Sequence, residues 1–195
     1  VKADVQLANN AVLAMYQDED ANMWIGTYDG LHLYNGKNTF VFRMELDNEF
    51  SLCSNIVLEI APAEKGYLWV ATSLGINKFS LRERRVVESY MQYVDVENIA
   101  SDSEGNTVLF SGEDFITCYR PGRAFFEDVY IPGVRAAEIV TVWSEAPRVF
   151  CTLGRDGELV RYRLNDGEGK SLVRVSGRQL SARPVRKAFF NGGRL

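Results

Sequence analysis

The sequence predicts an all-β fold built from repeated four-stranded blades, a β-propeller, and three observations predict it. The phrase Trp24-Ile25-Gly26-Thr27-Tyr28-Asp29-Gly30-Leu31-His32-Leu33-Tyr34 returns 45 residues later as Trp69-Val70-Ala71-Thr72-Ser73-Leu74-Gly75-Ile76-Asn77-Lys78-Phe79. Both copies place strand-length apolar segments on either side of one tight turn. The period-3.6 stripes that mark helical repeats of this length are missing. Weaker copies follow at spacings of 39 and 41 residues, as Val108-Leu109-Phe110-Ser111 with Phe115 to Tyr119, and Val149-Phe150-Cys151-Thr152 with Leu159 to Tyr162.

Each unit parses as four strands. The first reads Val12 to Gln17, Met23 to Thr27, Leu31 to Tyr34 and Asn38 to Met44, with turns at Asp18 to Asn22, Asp29-Gly30 and Asn35-Gly36. The second reads Asn55 to Ile60, Leu68 to Thr72, Ile76 to Phe79 and Val86 to Tyr90. The third reads Val94 to Ala100, Thr107 to Ser111, Phe115 to Tyr119 and Ala124 to Tyr130. The fourth reads Ala137 to Val142, Arg148 to Thr152, Leu159 to Arg163 and Leu172 to Val175. Val185 to Phe190 reads as the inner strand of a further unit, and the chain stops where the next Trp is due. The expectation is therefore an incomplete ring of about four blades (residues 9–50, 51–92, 93–133 and 134–180) plus the start of a fifth at 181–195, one partial domain cut from something longer. With its outer faces open, such a piece is expected to be marginal alone.

Composition bounds the function classes. A hydrophobic fraction of 46% is ample for a core, and no apolar run approaches the roughly 20 residues of a membrane span. Cys53, Cys118 and Cys151 have no metal-like spacing and suit core positions. The single histidine, His32, excludes a multi-histidine metal site within these residues. Asp18, Asp20 and Asn22 alternate as calcium loops do, but no Gly and no later acid complete the motif, so a solvated turn is expected. No nucleophile elbow, P-loop or dinucleotide fingerprint is present. Net charge is −4, yet residues 148–195 carry eleven Lys or Arg against four acids. Arg155, Arg161, Arg163, Arg174, Arg178, Arg183 and Arg186 could meet an anion, although solvated strand faces are the favoured reading. No nucleic-acid contact is expected.

The repeat resembles that of the sensor propellers of bacterial hybrid two-component systems, typical of Bacteroidetes. The residues that carry the resemblance are Asn9 to Leu13, Gln17 to Asp20, Met23-Trp24-Ile25-Gly26-Thr27, Gly30-Leu31 and Tyr34-Asn35. The second copy keeps Asn55-Ile56, Leu68-Trp69-Val70-Ala71-Thr72, Gly75-Ile76 and Phe79, with Ala71 where the pattern has Gly. The resemblance implies a periplasmic part of an inner-membrane protein that recognises a carbohydrate fragment, works as a homodimer, and controls a cytoplasmic histidine kinase and transcription. The anchor and kinase would lie outside these residues, and neither cofactor nor catalysis is expected of this segment. A propeller enzyme, such as a lyase or glycan-cleaving enzyme, and a protein-binding scaffold are the alternatives.

The periodic residues Trp24, Gly26, Thr27, Gly30, Tyr34, Trp69, Thr72, Gly75 and Phe79 are expected to build the ring, with both Trp side chains packed between blades. Function should lie where the repeat breaks: the connections Glu45 to Asn55, Met91 to Val96 and Val129 to Arg135. Tyr90, Tyr93, Tyr130 and Arg135 have the side chains suited to a ligand there. His32 could act alone as an acid or base, but no carboxylate is fixed beside it by spacing.

Overall fold

The computed structural model describes residues 7–90, 96–112, 115–123, 126–165 and 172–186. These form four antiparallel four-stranded sheets, each a simple meander. Blade 1 holds β1 (Val12–Gln17), β2 (Met23–Thr27), β3 (Gly30–Tyr34) and β4 (Thr39–Phe42). Blade 2 holds β5 (Val57–Pro62), β6 (Tyr67–Thr72), β7 (Gly75–Ser80) and β8 (Arg85–Tyr90). Blade 3 holds β9 (Val96–Ser101), β10 (Thr107–Ser111), β11 (Phe115–Tyr119) and β12 (Glu127–Asp128), and blade 4 holds β13 (Ile139–Ala146), β14 (Val149–Gly154), β15 (Glu158–Leu164) and β16 (Leu172–Gln179). The chain divides into two compact units, Val1–Pro62 with Gly66–Asp95, and Ala63–Lys65 with Val96–Leu195. The first therefore contains blades 1 and 2, the second blades 3 and 4.

The expected strands β1, β2, β10 and β11 match residue for residue. Corrections fall at the irregular places. Ala137 to Val142 is not a strand throughout: Ala136–Glu138 is a 3-10 turn, and the strand runs from Ile139 to Ala146. The expected outer strand Ala124 to Tyr130 shrinks to Glu127–Asp128, with residues 124 and 125 outside the described part. Its blade-4 counterpart lengthens to Gln179, because β15 pairs with it as far as Glu158 opposite Gln179. In the expected strand Val185 to Phe190 the described residues are Val185 and Arg186, which are not in a strand.

The signature residues act as joints. Thr27 accepts the Asp29 N–H on its hydroxyl at 3.0 Å and donates to the Gly30 carbonyl at 3.3 Å. Thr72 repeats this with Leu74 and Gly75. Each hydroxyl thus closes the two-residue loop between its blade's second and third strands. Blade 2 is stitched to blade 1 by Asn55, whose carbonyl accepts the Gly30 N–H at 2.7 Å and whose Oδ1 accepts the Met44 N–H at 2.7 Å. Gly26 permits a close approach, since a Cβ there would lie 2.6 Å from Cγ1 of Val57.

Trp24 sits between the first two blades, 1% exposed, in one cluster with Leu31, Leu33, Val57, Leu68 and Phe79. Its ring meets Phe79 edge-on at 5.4 Å and stacks near Phe42 at 6.1 Å. Trp69, fully buried, lies against Tyr90 at 6.1 Å and under the Lys78 ammonium at 5.8 Å. All three cysteines are free thiols, and Cys118 and Cys151 are buried as expected.

Candidate functional site

Blades 3 and 4 share a core in which Val108, Phe110, Ile116 and Ile131 meet Val160, Tyr162, Leu164 and Leu172. Their outer edges are unequal: β12 has two residues and β16 eight. Blade 4 faces a cavity of about 690 Å³ whose lining also includes the connection from Tyr130 to Arg135, which follows the short β12. This size is in the range of small-ligand sites.

The groove has an apolar floor and charged walls. Val160, Leu172 and Tyr162 form the floor, with Arg135, Glu138, Asp156, Glu158 and Arg174 around it. Burial raises the Tyr162 hydroxyl above its ordinary value, and a hydrogen bond with Thr152 offsets part of that rise. Glu158 is engaged with Arg174 at 2.5 Å, and Asp156 accepts the Glu158 N–H at 2.9 Å. Tyr130, 79% exposed, presents its ring at the rim. Arg155 braces the wall from behind: its N–H donates to the Glu138 carbonyl at 2.8 Å and its Nε to the Ala137 carbonyl at 3.1 Å.

Of the four candidate contact residues, Tyr130 and Arg135 are brought together on this groove. Tyr90 belongs to the other unit, where its hydroxyl donates to Glu88 at 2.5 Å. Tyr93 lies outside the described residues, as does the connection from Met91 to Asp95. In the connection from Glu45 to Asn55, Asn48 and Ser51 serve the loop itself: Asn48 donates to Glu45 at 2.7 Å, and Ser51 accepts the Glu45 N–H at 3.0 Å. Sequence reasoning missed Glu138, Asp156 and Tyr162, which come from a 3-10 turn, a hairpin loop and a strand, whereas Arg174 was already among the arginines that could meet an anion.

Two other sequence candidates prove structural. Asp18 is not merely a solvated turn residue: its carboxylate accepts the N–H groups of Asp20 and Asn22, the Asn22 amide, and the Trp24 indole N–H at 2.8 Å. Burial would raise this carboxyl, but those hydrogen bonds outweigh it and hold it below the ordinary value of 3.8. Asp102 repeats the arrangement in blade 3, where Val108 replaces the Trp; its freed oxygen accepts the Arg148 N–H from blade 4 at 2.7 Å. His32, fully buried on β3, accepts the Ala8 N–H on Nε2 at 3.0 Å. Within the basic stretch, Arg161 pairs with Glu145 at 2.6 Å, whereas Arg163, Arg178, Arg183 and Arg186 are exposed.

Residues 6–29 match the two component regulator propeller family. The match ends on the β2–β3 turn, so it spans the entering segment, the Asp18 turn and the Trp24 strand described above. The repeat's fold recurs in solved structures. The extracellular domain assigned to a hybrid two-component system of B. thetaiotaomicron superposes with a TM-score of 0.60 at 18% identity, over 86% of this chain and 22% of that one. PorZ, a surface component of the type-IX secretion system of Porphyromonas gingivalis, gives 0.62 at 13% identity, over 85% and 22%. U3-55K gives 0.63 at 12% identity, over 87% and 53%. These likenesses show the propeller fold, and the chain spans about a fifth of the first two proteins. No curated protein matches the chain in sequence. Among the described residues no helix is long and apolar enough to cross a membrane.

Proposed function

We propose that this chain is part of the periplasmic sensing region of a hybrid two-component signalling protein and that it recognises a carbohydrate fragment. Binding would favour one arrangement of a homodimer and so control a histidine kinase and transcription, which requires a different affinity for the two arrangements. The segment itself binds and does not catalyse. The observation that supports this reading is the groove of blades 3 and 4, where an exposed aromatic ring, Tyr130, stands at the edge of an apolar floor with charged groups on its walls. An aromatic face suits the apolar face of a pyranose, and the polar rim suits its hydroxyls.

The test is calorimetric titration of the full-length periplasmic region with a panel of glycan fragments. A fragment that binds the wild type should bind Tyr130→Ala about tenfold more weakly, a loss of roughly 1.4 kcal/mol, and Tyr90→Ala unchanged. Equal affinity of wild type and Tyr130→Ala would remove the groove from the reading. Cleavage of the fragment during titration would replace sensing by catalysis.

A further inference from the structure

His32 has a counterpart. Counting the same 45 residues from Ala8 and from His32 reaches Cys53 and Asn77. In blade 2 the Cys53 N–H donates to Oδ1 of Asn77 at 3.2 Å, as the Ala8 N–H donates to His32 in blade 1. Both acceptors are fully buried on the third strand of their blade. Each fastens the segment through which the chain enters that blade. The difference is chemical: an amide oxygen accepts a hydrogen bond at any ordinary pH, whereas an imidazole nitrogen accepts one only while it is unprotonated.

We propose that His32 is a proton-operated latch on the segment entering blade 1: the neutral ring holds the Ala8 N–H, protonation turns the acceptor into a donor, and residues 7–11 are released. Asn77 is the permanent form of the same fastening. A protonated ring would place two donors face to face in a buried site, which the backbone relieves by moving away. The segment can move without unfolding the sheet, since it precedes β1 and the Asn9 side chain accepts a hydrogen bond from within the segment itself, the Ala11 N–H. The strands beside His32, β2 and β4, bring no acidic or basic side chain. Among the described residues, the charged groups that act on the ring are Arg43 and Asp29. They are bonded to one another, with Nε to Oδ1 and Nη2 to Oδ2 both 3.0 Å.

The direction of the titration agrees. Burial lowers the ring below its ordinary 6.5, more than the nearby backbone of Ile25 and Gly30 raises it. The unfolded or released ring therefore binds protons more readily than the latched one. The latch is fully engaged above 6.5 and weakens as pH falls below that value toward the lower, latched one.

The experiment is hydrogen–deuterium exchange on the intact protein at about pH 7.5 and about pH 5, each corrected for the intrinsic pH dependence of amide exchange, which spans the range of histidine titration. Protection of the peptide holding Ala8 should fall about tenfold at the lower pH, while that of the peptide holding Cys53 stays constant. Glu59 on β5, pushed up to about 6 by burial, titrates in the same window and is controlled by His32→Asn, which leaves it in place. That variant copies blade 2 and should make Ala8 protection independent of pH. Should it fail to fold, Asn77→His replaces it and should transfer the pH dependence to Cys53. Ala8 protection that is constant in the wild type, that falls together with Cys53, or that still falls in His32→Asn overturns the proposal; for Asn77→His, so does Cys53 protection that stays constant.

Discussion

Replacing Trp24 by alanine is expected to cost the first unit about 3–5 kcal/mol, the range for deleting a large aromatic side chain from a core. The indole is 1% exposed and contacts blade 2 through Phe79, so the cavity opens between two sheets. Neither sheet can close it alone, because each is fixed by its own ladder and by the Asn55 stitch. A domain has roughly 5–15 kcal/mol in hand, so this change should leave the unit largely unfolded at moderate urea. Trp24→Phe separates the parts: it keeps most of the ring but withdraws the N–H that Asp18 accepts, and should cost about 1 kcal/mol beyond the lost area. It should also change the acid limb. The Asp18 carboxyl is held below 3.8, so its contribution to stability is present above that value and lost as pH falls through the depressed one. Without the indole bond the depression shrinks, and this contribution becomes smaller. Urea midpoints followed by circular dichroism, at neutral pH and near pH 3, check both points, since the carboxylate range lies between the two. A Trp24→Ala loss below about 1 kcal/mol would mean that the indole is not part of the core.

The strands were legible wherever the repeat kept its Trp, Thr and Gly, because these residues mark one side chain for the core, one hydroxyl for the turn and one position for an unusual backbone angle. β2 is such a strand, and its ends follow from its residues. The places that misled reading are those where a distant bond decides. Ala137-Glu138 looks like the start of a strand, yet Arg155 donates to both the Ala137 and Glu138 carbonyls and the Glu138 N–H donates to the Arg135 carbonyl at 3.1 Å, which holds a tight turn there. Ser176-Gly177 looks like a strand end, yet β15 carries the pairing past it.

The groove was half legible for a related reason. Tyr130 and Arg135 stood out because their connection departs from the repeat. Its other wall is made of blade 4 residues that are ordinary by position, in a unit whose other blade has a short outer strand, β12. That shortness is a matter of pairing: β11 meets β12 at two positions, Thr117 opposite Asp128 and Cys118 opposite Glu127. The Ala8–His32 bond, by contrast, had a sequence signal. The repeat step carries Ala8 onto Cys53 and His32 onto Asn77, and two polar residues at one strand position of a buried sheet ask for a partner.

Replacing Gly30 by alanine is the second change expected to have a large effect, about 3 kcal/mol or more, from two separable causes. The first is backbone conformation: φ is +108°, where a side chain is strained. The loop residues Tyr28 and Asp29 do not adopt positive φ, so in the turn between β2 and β3 Gly30 takes the left-handed backbone angle. The second is space. A Cβ would stand 2.4 Å from the Phe42 carbonyl oxygen and 3.1 Å from Cγ of Arg43. That carbonyl belongs to β4, whose Phe42 is paired with Leu31, so it cannot step aside without breaking the ladder. Gly36 supplies the control, with φ +83° and nothing within 4 Å of the position a Cβ would take. Gly36→Ala should therefore show only the conformational part, about 1–2 kcal/mol. The difference between the two variants in urea measures the contact. If they cost the same, the turn has room at Gly30 and the close fit of β3 against the end of β4 is not what requires glycine. If Gly30→Ala costs more, the glycine is required on two counts, and the Gly30 N–H bond to Asn55 carries the strain onward to blade 2. The variant should then weaken the seam between the first two blades as well as its own hairpin.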